Sequence, residues 1–134
     1  MTAVEGDVAV CLQTDAELER RYPPYLEWLA RPDPHEALRL PTEDHMVADD
    51  DSVCGLVGDL HGRLRVGRRV VVHCGAGWGR AGVIAVLLMC SAGAEIDAAL
   101  RDLRVARPAA GPQSADQDLQ VERLAGRLRT ELSG

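Results

Sequence analysis

The residues of this chain that could do chemistry are concentrated in HCGAGWGRAG, His73 to Gly82, where two patterns overlap. Gly77, Gly79 and Gly82 form G-x-G-x-x-G, the spacing with which a strand-to-helix turn lets backbone approach a dinucleotide pyrophosphate. Cys74, followed by five residues and then Arg80, has instead the spacing of a covalent phosphate site. In that second pattern a glycine-rich loop, Gly75, Ala76, Gly77, Trp78 and Gly79, curls so that its N–H groups converge on a tetrahedral oxyanion. Arg80 adds a planar fork for two phosphate oxygens, which a lysine could not reproduce. The positive surroundings favour the Cys74 thiolate, the form that attacks phosphorus. His73 stands behind the loop, orienting and helping to polarise the surroundings of the cysteine.

These residues need a strand before them and a helix after them, and the patterning supplies both. Arg69 to Val72 is β-branched on both faces, which predicts a central strand of a parallel sheet. Arg80 to Cys90 is almost wholly apolar and predicts a buried helix. Upstream, Val8 to Leu12 reads as a buried strand ending in Thr14-Asp-Ala-Glu17, a capping box that opens a helix. Pro23 and Pro24 interrupt that helix. Glu36 to Leu40 predicts a second strand, leading into the loop Pro41 to Asp44. Val53, Leu56, Val57, Leu60 and Leu64 mark an amphipathic helix ended by Gly67. Ile96, Leu100 and Leu103 mark another, and Ser114-x-x-Gln117 caps a last one carrying Val121, Leu124, Leu128 and Leu132. The fold class is α/β in a single domain over residues 1–134.

The downstream pattern separates the two readings. A dinucleotide site needs a second strand after the glycine helix and an acidic residue at its end to hold the ribose. Here the segment after Gly93 is helical again, with Asp97 and Asp102 inside it, so the covalent phosphate site is preferred and the dinucleotide-binding domain is the weaker alternative.

Composition bounds the rest. The chain has 134 residues, 46% hydrophobic and 27% charged, which is room for one core and one site. All of its basic charge is arginine, and the net charge of −6 argues against nucleic acid as a partner. No apolar run reaches the length of a membrane span and no signal-peptide pattern opens the chain, so no membrane association is expected. Cys11, Cys54, Cys74 and Cys90 show no paired C-x-x-C spacing, which points to thiols in a cytoplasmic protein and to no metal. No cofactor is implied. His35, His45 and His61 need only surface or packing roles.

HCGAGWGR resembles the H-C-x-x-G-x-x-R signature of the cysteine-dependent protein tyrosine and dual-specificity phosphatases. The resemblance implies a three-layer fold whose small, mainly parallel sheet is flanked by helices, and a phosphomonoester hydrolase working through a phosphocysteine. Family members carry a strand or two and a helix ahead of the strand that Val8 to Leu12 resembles. This chain has room for almost none of that, so the expected sheet is N-terminally shortened, about four strands, with one edge exposed or covered by a partner. The resemblance also implies a general acid, because an alkoxide or phenolate leaves poorly. Asp44, at 74 − 44 = 30 residues before the cysteine, is the candidate, with Glu43 as the alternative; Asp49, Asp50 and Asp51 read as a solvated helix start. RPAAGPQSADQ is similar to the family's loop after an Arg-Pro, whose glutamine positions the hydrolytic water; Gln113 and Gln117 both qualify.

Three further implications concern rate and specificity. Most members carry Ser or Thr after the arginine, and this chain has Ala81, as in the slow phosphatases of regenerating liver. Slow breakdown of the phosphocysteine is therefore expected, with a weak pseudophosphatase that only binds phosphorylated partners as the alternative. Cys11 stands where those slow enzymes and related lipid phosphatases carry a redox partner for the nucleophile, which makes a Cys11–Cys74 disulfide an expectation, beside a plain core thiol. Without a long aromatic loop, the site is expected to be shallow and to accept a phosphorylated protein or a small phosphomonoester. No lysine adds the charge that an inositol phosphate would want.

Overall fold

The computed structural model describes residues 7–33, 35–75 and 78–132. The elements run β1 (Val8–Cys11), α1 (Asp15–Arg21), α2 (Pro23–Ala30), β2 (Glu36–Arg39), α3 (Asp50–Arg65), β3 (Val70–His73), α4 (Gly79–Ser91), α5 (Ile96–Ala106) and α6 (Ala115–Leu132). The strands form one parallel sheet in the order β2-β1-β3, with Cys11 in register with Arg39 on one side and His73 on the other. Parallel strands in register bring their carboxyl ends to one edge, where α/β sheets bind ligands.

Two features of the sheet differ from the sequence expectation. It has three strands among the described residues rather than about four, and β1, not the Val-rich β3, is central. The reason lies in burial. Every residue of β1 is buried, whereas each residue of β3 is half-exposed. Three consecutive valines mark a strand well but do not say which strand has a neighbour on each side.

The sheet separates two clusters and so makes three layers. Val8, Val10 and Leu12 point to the larger cluster, built with α3, α4 and α6. Cys11 points to the smaller one, with Leu18 of α1, Leu29 of α2 and Ala37 of β2. α4 is the core helix; Val83, Ile84, Val86 and Leu87 are all buried along it. Truncating a side chain such as Leu87 there costs about 2–5 kcal/mol.

Helix boundaries follow local chemistry. Thr14 caps α1 with a complete capping box: its hydroxyl accepts from Glu17 N at 3.3 Å and the Glu17 carboxylate accepts from Thr14 N at 3.3 Å. The helical run is interrupted at Tyr22, as expected ahead of Pro23 and Pro24, and the two prolines start α2, where a missing N–H costs nothing. Asp49 caps α3 by accepting from Ser52 N, and Gly67, at φ 85°, follows its last turn. The α3 stripe is buried from Val53 to Leu60, but Leu64, in the last turn, is exposed. No helix among the described residues is long and apolar enough to cross a membrane.

Candidate active site

Three chain segments meet at the carboxyl edge of the sheet. Cys74 follows β3 and is buried; Arg80 lies in the first turn of α4 and is only 4% exposed. A charged side chain that buried needs partners, and each comes from the end of a different strand. Glu17, beyond β1, accepts from Nη1 at 2.7 Å and from Nη2 at 3.1 Å. The carbonyl of Thr42, beyond β2, accepts from Nη1 at 2.6 Å. The carbonyl of Cys74, beyond β3, accepts from Nη2 at 2.5 Å. The four Nη protons are thereby used, and the buried Nε–H has no hydrogen-bond partner.

Asp44 lies over that Nε, with Oδ1 at 3.7 Å, and its side chain is 55% exposed. It is thus at the mouth of the site, facing solvent. Its neighbour His45 has φ 64°, and the backbone N–H of His45 donates to Asp44 Oδ1 at 3.0 Å, which sets the carboxylate's direction. Glu43 is exposed beside it and contributes its carbonyl to Met46 N. Asp49 and Asp50 serve the start of α3, Asp49 as its cap and Asp50 paired with Arg123 at 2.9 Å.

Electrostatics couple Arg80 to Glu17. Burial alone would lower the Arg80 pKa, but the hydrogen bonds and charge of Glu17 outweigh it and hold the guanidinium above its ordinary value. In return, the Arg80 hydrogen bonds hold the Glu17 carboxyl below the usual carboxylate range. Behind the nucleophile, His73 Nε2 lies 2.6 Å from the Tyr25 hydroxyl, and Tyr25 is stacked on Trp28. Burial pushes Tyr25 up to about 12 and pushes His73 down, so this bond joins two neutral groups.

The loop itself is described at Gly75, Trp78 and Gly79; Ala76 and Gly77 of the expected phosphate cradle lie outside the described residues. Gly75 has φ 89°, the left-handed region that glycine takes without strain, and a Cβ there would stand 2.8 Å from Gln13 Nε2. The N-terminus of α4 faces the same space, and its dipole favours an anion. Trp78 is half-buried, with the Arg107 guanidinium 5.2 Å from its ring centre. The last glycine of the apparent dinucleotide fingerprint has another reason to be there. A Cβ on Gly82 would fall 2.5 Å from Gly111 N, so its absence lets the loop before α6 lie on α4. No strand follows β3 among the described residues, which removes the dinucleotide reading.

Gln117 and Gln113 both reach this loop; a Cβ on Gly79 would meet Gln117 Oε1 at 2.9 Å and Gln113 Oε1 at 3.1 Å. Gln117 is fully buried and both its ends are engaged, Oε1 accepting from Gln113 N at 2.8 Å and Nε2 donating to Met46 O at 3.2 Å. It braces the Asp44 loop against the α6 loop. Gln113 is exposed, and its amide makes one long bond of 3.5 Å to Ala109 O.

The structure does not bring Cys11 and Cys74 together. No disulfide joins them, and the Cys11 side chain belongs to the small cluster on one face of the sheet while Cys74 belongs to the large cluster on the other. Register places the Cα of Cys11 beside His73, one residue short, and strand alternation turns the thiols to opposite faces. Burial pushes the Cys11 thiol up, away from the reactive thiolate. Glu17, Thr42, Gln13 and Tyr25 also face the site, and no sequence pattern marks them for it. Glu17 carried a signal, but the signal was that of a helix cap.

This geometry agrees with comparison to known proteins. A family model described as "Swiss Army Knife protein, DSP-PTPase phosphatase domain" matches residues 2–126. No curated protein matches the chain by sequence. Among solved structures, the active form of Tk-PTP is 27% identical, with a TM-score of 0.75 over 92% of this chain and 80% of that one. Kinase associated phosphatase shares the fold at 22% identity and TM-score 0.79, over 96% of this chain and 73% of that one. P. aeruginosa TpbA does so at 24% identity and TM-score 0.64, over 97% and 75%. With the family match running through nearly the whole chain, and Cys74 and Arg80 standing between β3 and α4, the chain belongs to the dual-specificity and protein tyrosine phosphatase family and is a phosphatase of that type.

Proposed function

We propose that the protein hydrolyses phosphomonoesters through a phosphocysteine and releases it slowly. The observation that carries the reading is the buried Arg80 Nε–H, left without a hydrogen-bond partner beside Cys74 and at the N-terminus of α4. An unpaired buried donor on a cation costs free energy that a phosphate oxygen would recover. With a phosphorylated side chain bound, the Cys74 thiolate attacks phosphorus, the S–P bond forms and the P–O bond to the leaving group breaks. Asp44 gives its proton to the departing oxygen. Water then attacks the phosphocysteine, Asp44 takes a proton from it, and the P–S bond breaks to return the thiolate.

Two residues set the second step. Ala81 is buried at the position after Arg80 and offers no hydroxyl to the departing sulfur, which supports slow breakdown. Gln113, exposed and nearly unengaged, is the better of the two glutamines to hold the attacking water, because Gln117 is committed as a brace.

Hydrolysis of a chromogenic aryl phosphate tests the whole. Cys74→Ser brings the rate to background, and Asp44→Ala lowers kcat by about 10²–10⁴-fold. Wild type gives a burst of product followed by a slow steady rate, and Ala81→Ser raises that steady rate. Retained phosphate binding without hydrolysis at any pH would leave the pseudophosphatase reading in its place.

A further inference from the structure

A groove opens from the phosphate loop along one face of β3. It encloses about 650 Å³ and shares Gly75 and Gln13 with the site. Its floor is one face of β3, formed by Val71 and His73 and continuing to Gly75, and its wall is the junction of α1 and α2, Arg21, Tyr22 and Tyr25. The α1–α2 pair covers the sheet over β1 and β2, packing on Cys11 and Ala37, and meets β3 at His73 through Tyr25, with Val71 left half-exposed. Val70 and Val72 pack into the large cluster, whereas Val71 belongs to neither cluster and is half-exposed. Tyr22 is 54% exposed at the rim. β3 pairs only with β1 among the described residues, so the groove follows a free strand edge.

We propose that this groove seats the polypeptide flanking the phosphorylated residue, as an extended segment with an acidic side chain against Arg21. The proposal rests on the phosphatase reading above. Continuity supports it, because a chain leaving a phosphate held above Cys74 passes Gly75 and enters the groove directly. Length supports it too. Gly75 to Val71 spans four strand intervals, about 13 Å, room for about four extended residues. Charge decides the occupant: among the described residues that line the groove Arg21 is the charged one and none is a carboxylate, and the chain as a whole is acidic at −6. An acidic segment is therefore drawn to this patch and repelled elsewhere. The two tyrosines give apolar faces to the stem of that segment.

The test compares an aryl phosphate, a phosphotyrosyl peptide with acidic flanking residues and the same peptide with neutral ones, on wild type, Arg21→Glu and Tyr22→Ala. Wild type prefers the acidic peptide. Arg21→Glu raises its KM about three- to tenfold with kcat retained and abolishes the preference. Tyr22→Ala raises KM for both peptides. The aryl phosphate, which does not enter the groove, keeps its kinetics in both variants. Equal changes for peptide and aryl phosphate, or none, overturn the proposal. So does a second copy as occupant, shown by a dimer in sedimentation that Tyr22→Ala disperses. If wild type hydrolyses no aryl phosphate, the catalytic reading fails on its own; titration of the two peptides into Cys74→Ser still decides the groove, equal affinities overturning it.

Discussion

Replacing Glu17 with Gln separates two roles held by one carboxylate. Glutamine still completes the capping box with Thr14, so the start of α1 survives. What is lost is the charge facing Arg80, whose side chain is 3% exposed and which donates two hydrogen bonds to Glu17, at 2.7 and 3.1 Å. Removing one partner of a buried ion pair costs about 3–5 kcal/mol, and hydrogen bonds to charged groups are worth about 1.5–3 kcal/mol each. The Thr42 and Cys74 carbonyls remain on Arg80, which puts Glu17→Gln at the low end, about 3 kcal/mol, or a fall in Tm of about 10 °C for a chain of this size. The loss depends on pH. The folded Glu17 pKa is depressed, so its contribution is fully present above the unfolded value, about 4.3, and fades as pH falls through the lower folded value. The gap in Tm between wild type and Glu17→Gln is therefore wide at pH 7 and narrows below about pH 4. Orthovanadate binding, followed by titration, weakens about 10- to 100-fold in the variant, since the arginine fork is no longer aimed. An unchanged Tm at pH 7, or a gap that stays constant down to pH 3, would refute the argument.

Gly82→Ala must push Gly111 N away from a 2.5 Å contact, so the loop before α6 shifts; thermal unfolding should show a loss of about 1–3 kcal/mol. Cys11→Ser should leave the recovery of peroxide-inactivated enzyme by thiol unchanged, because Cys11 faces the other side of the sheet; poorer recovery in the variant would show that the loop can turn its nucleophile across the strand end. Glu36, held by Arg63 and Arg68 at 2.7 Å each, has its pKa lowered to about 2. Its stabilisation is present above pH about 4.3 and lost as pH falls toward 2, so Glu36→Gln should differ from wild type in Tm at pH 6 and converge with it near pH 2.

What could be read from sequence was whatever local chemistry determines. The strand and helix around Cys74, the α1 cap at Thr14, the apolar stripe from Val53 to Leu60 and the acidic start of α3 among Asp49, Asp50 and Asp51 all announce themselves within a few residues, and all are found. What escaped depends on partners far along the chain. Whether β1 or β3 is central is a matter of which strands pair with it. The second cap pattern, Ser114 to Gln117, is half kept: Gln117 N donates to Ser114 Oγ at 3.3 Å, but its side chain leaves for Met46, 71 positions away, and for Gln113 N. Glu17 reads as a complete local motif, and nothing in that motif points to an arginine 63 positions away.

The three acceptors of Arg80 stand after the three strands of the sheet. Because each follows a different strand, the four Nη protons of the guanidinium are paired only when all three strand ends have arrived. A chain with one strand misplaced keeps an unpaired buried cation and has no phosphate site. Assembly of the pocket and closure of the sheet are thus a single cooperative event, and affinity for an oxyanion becomes a gauge of how much of a preparation is correctly folded.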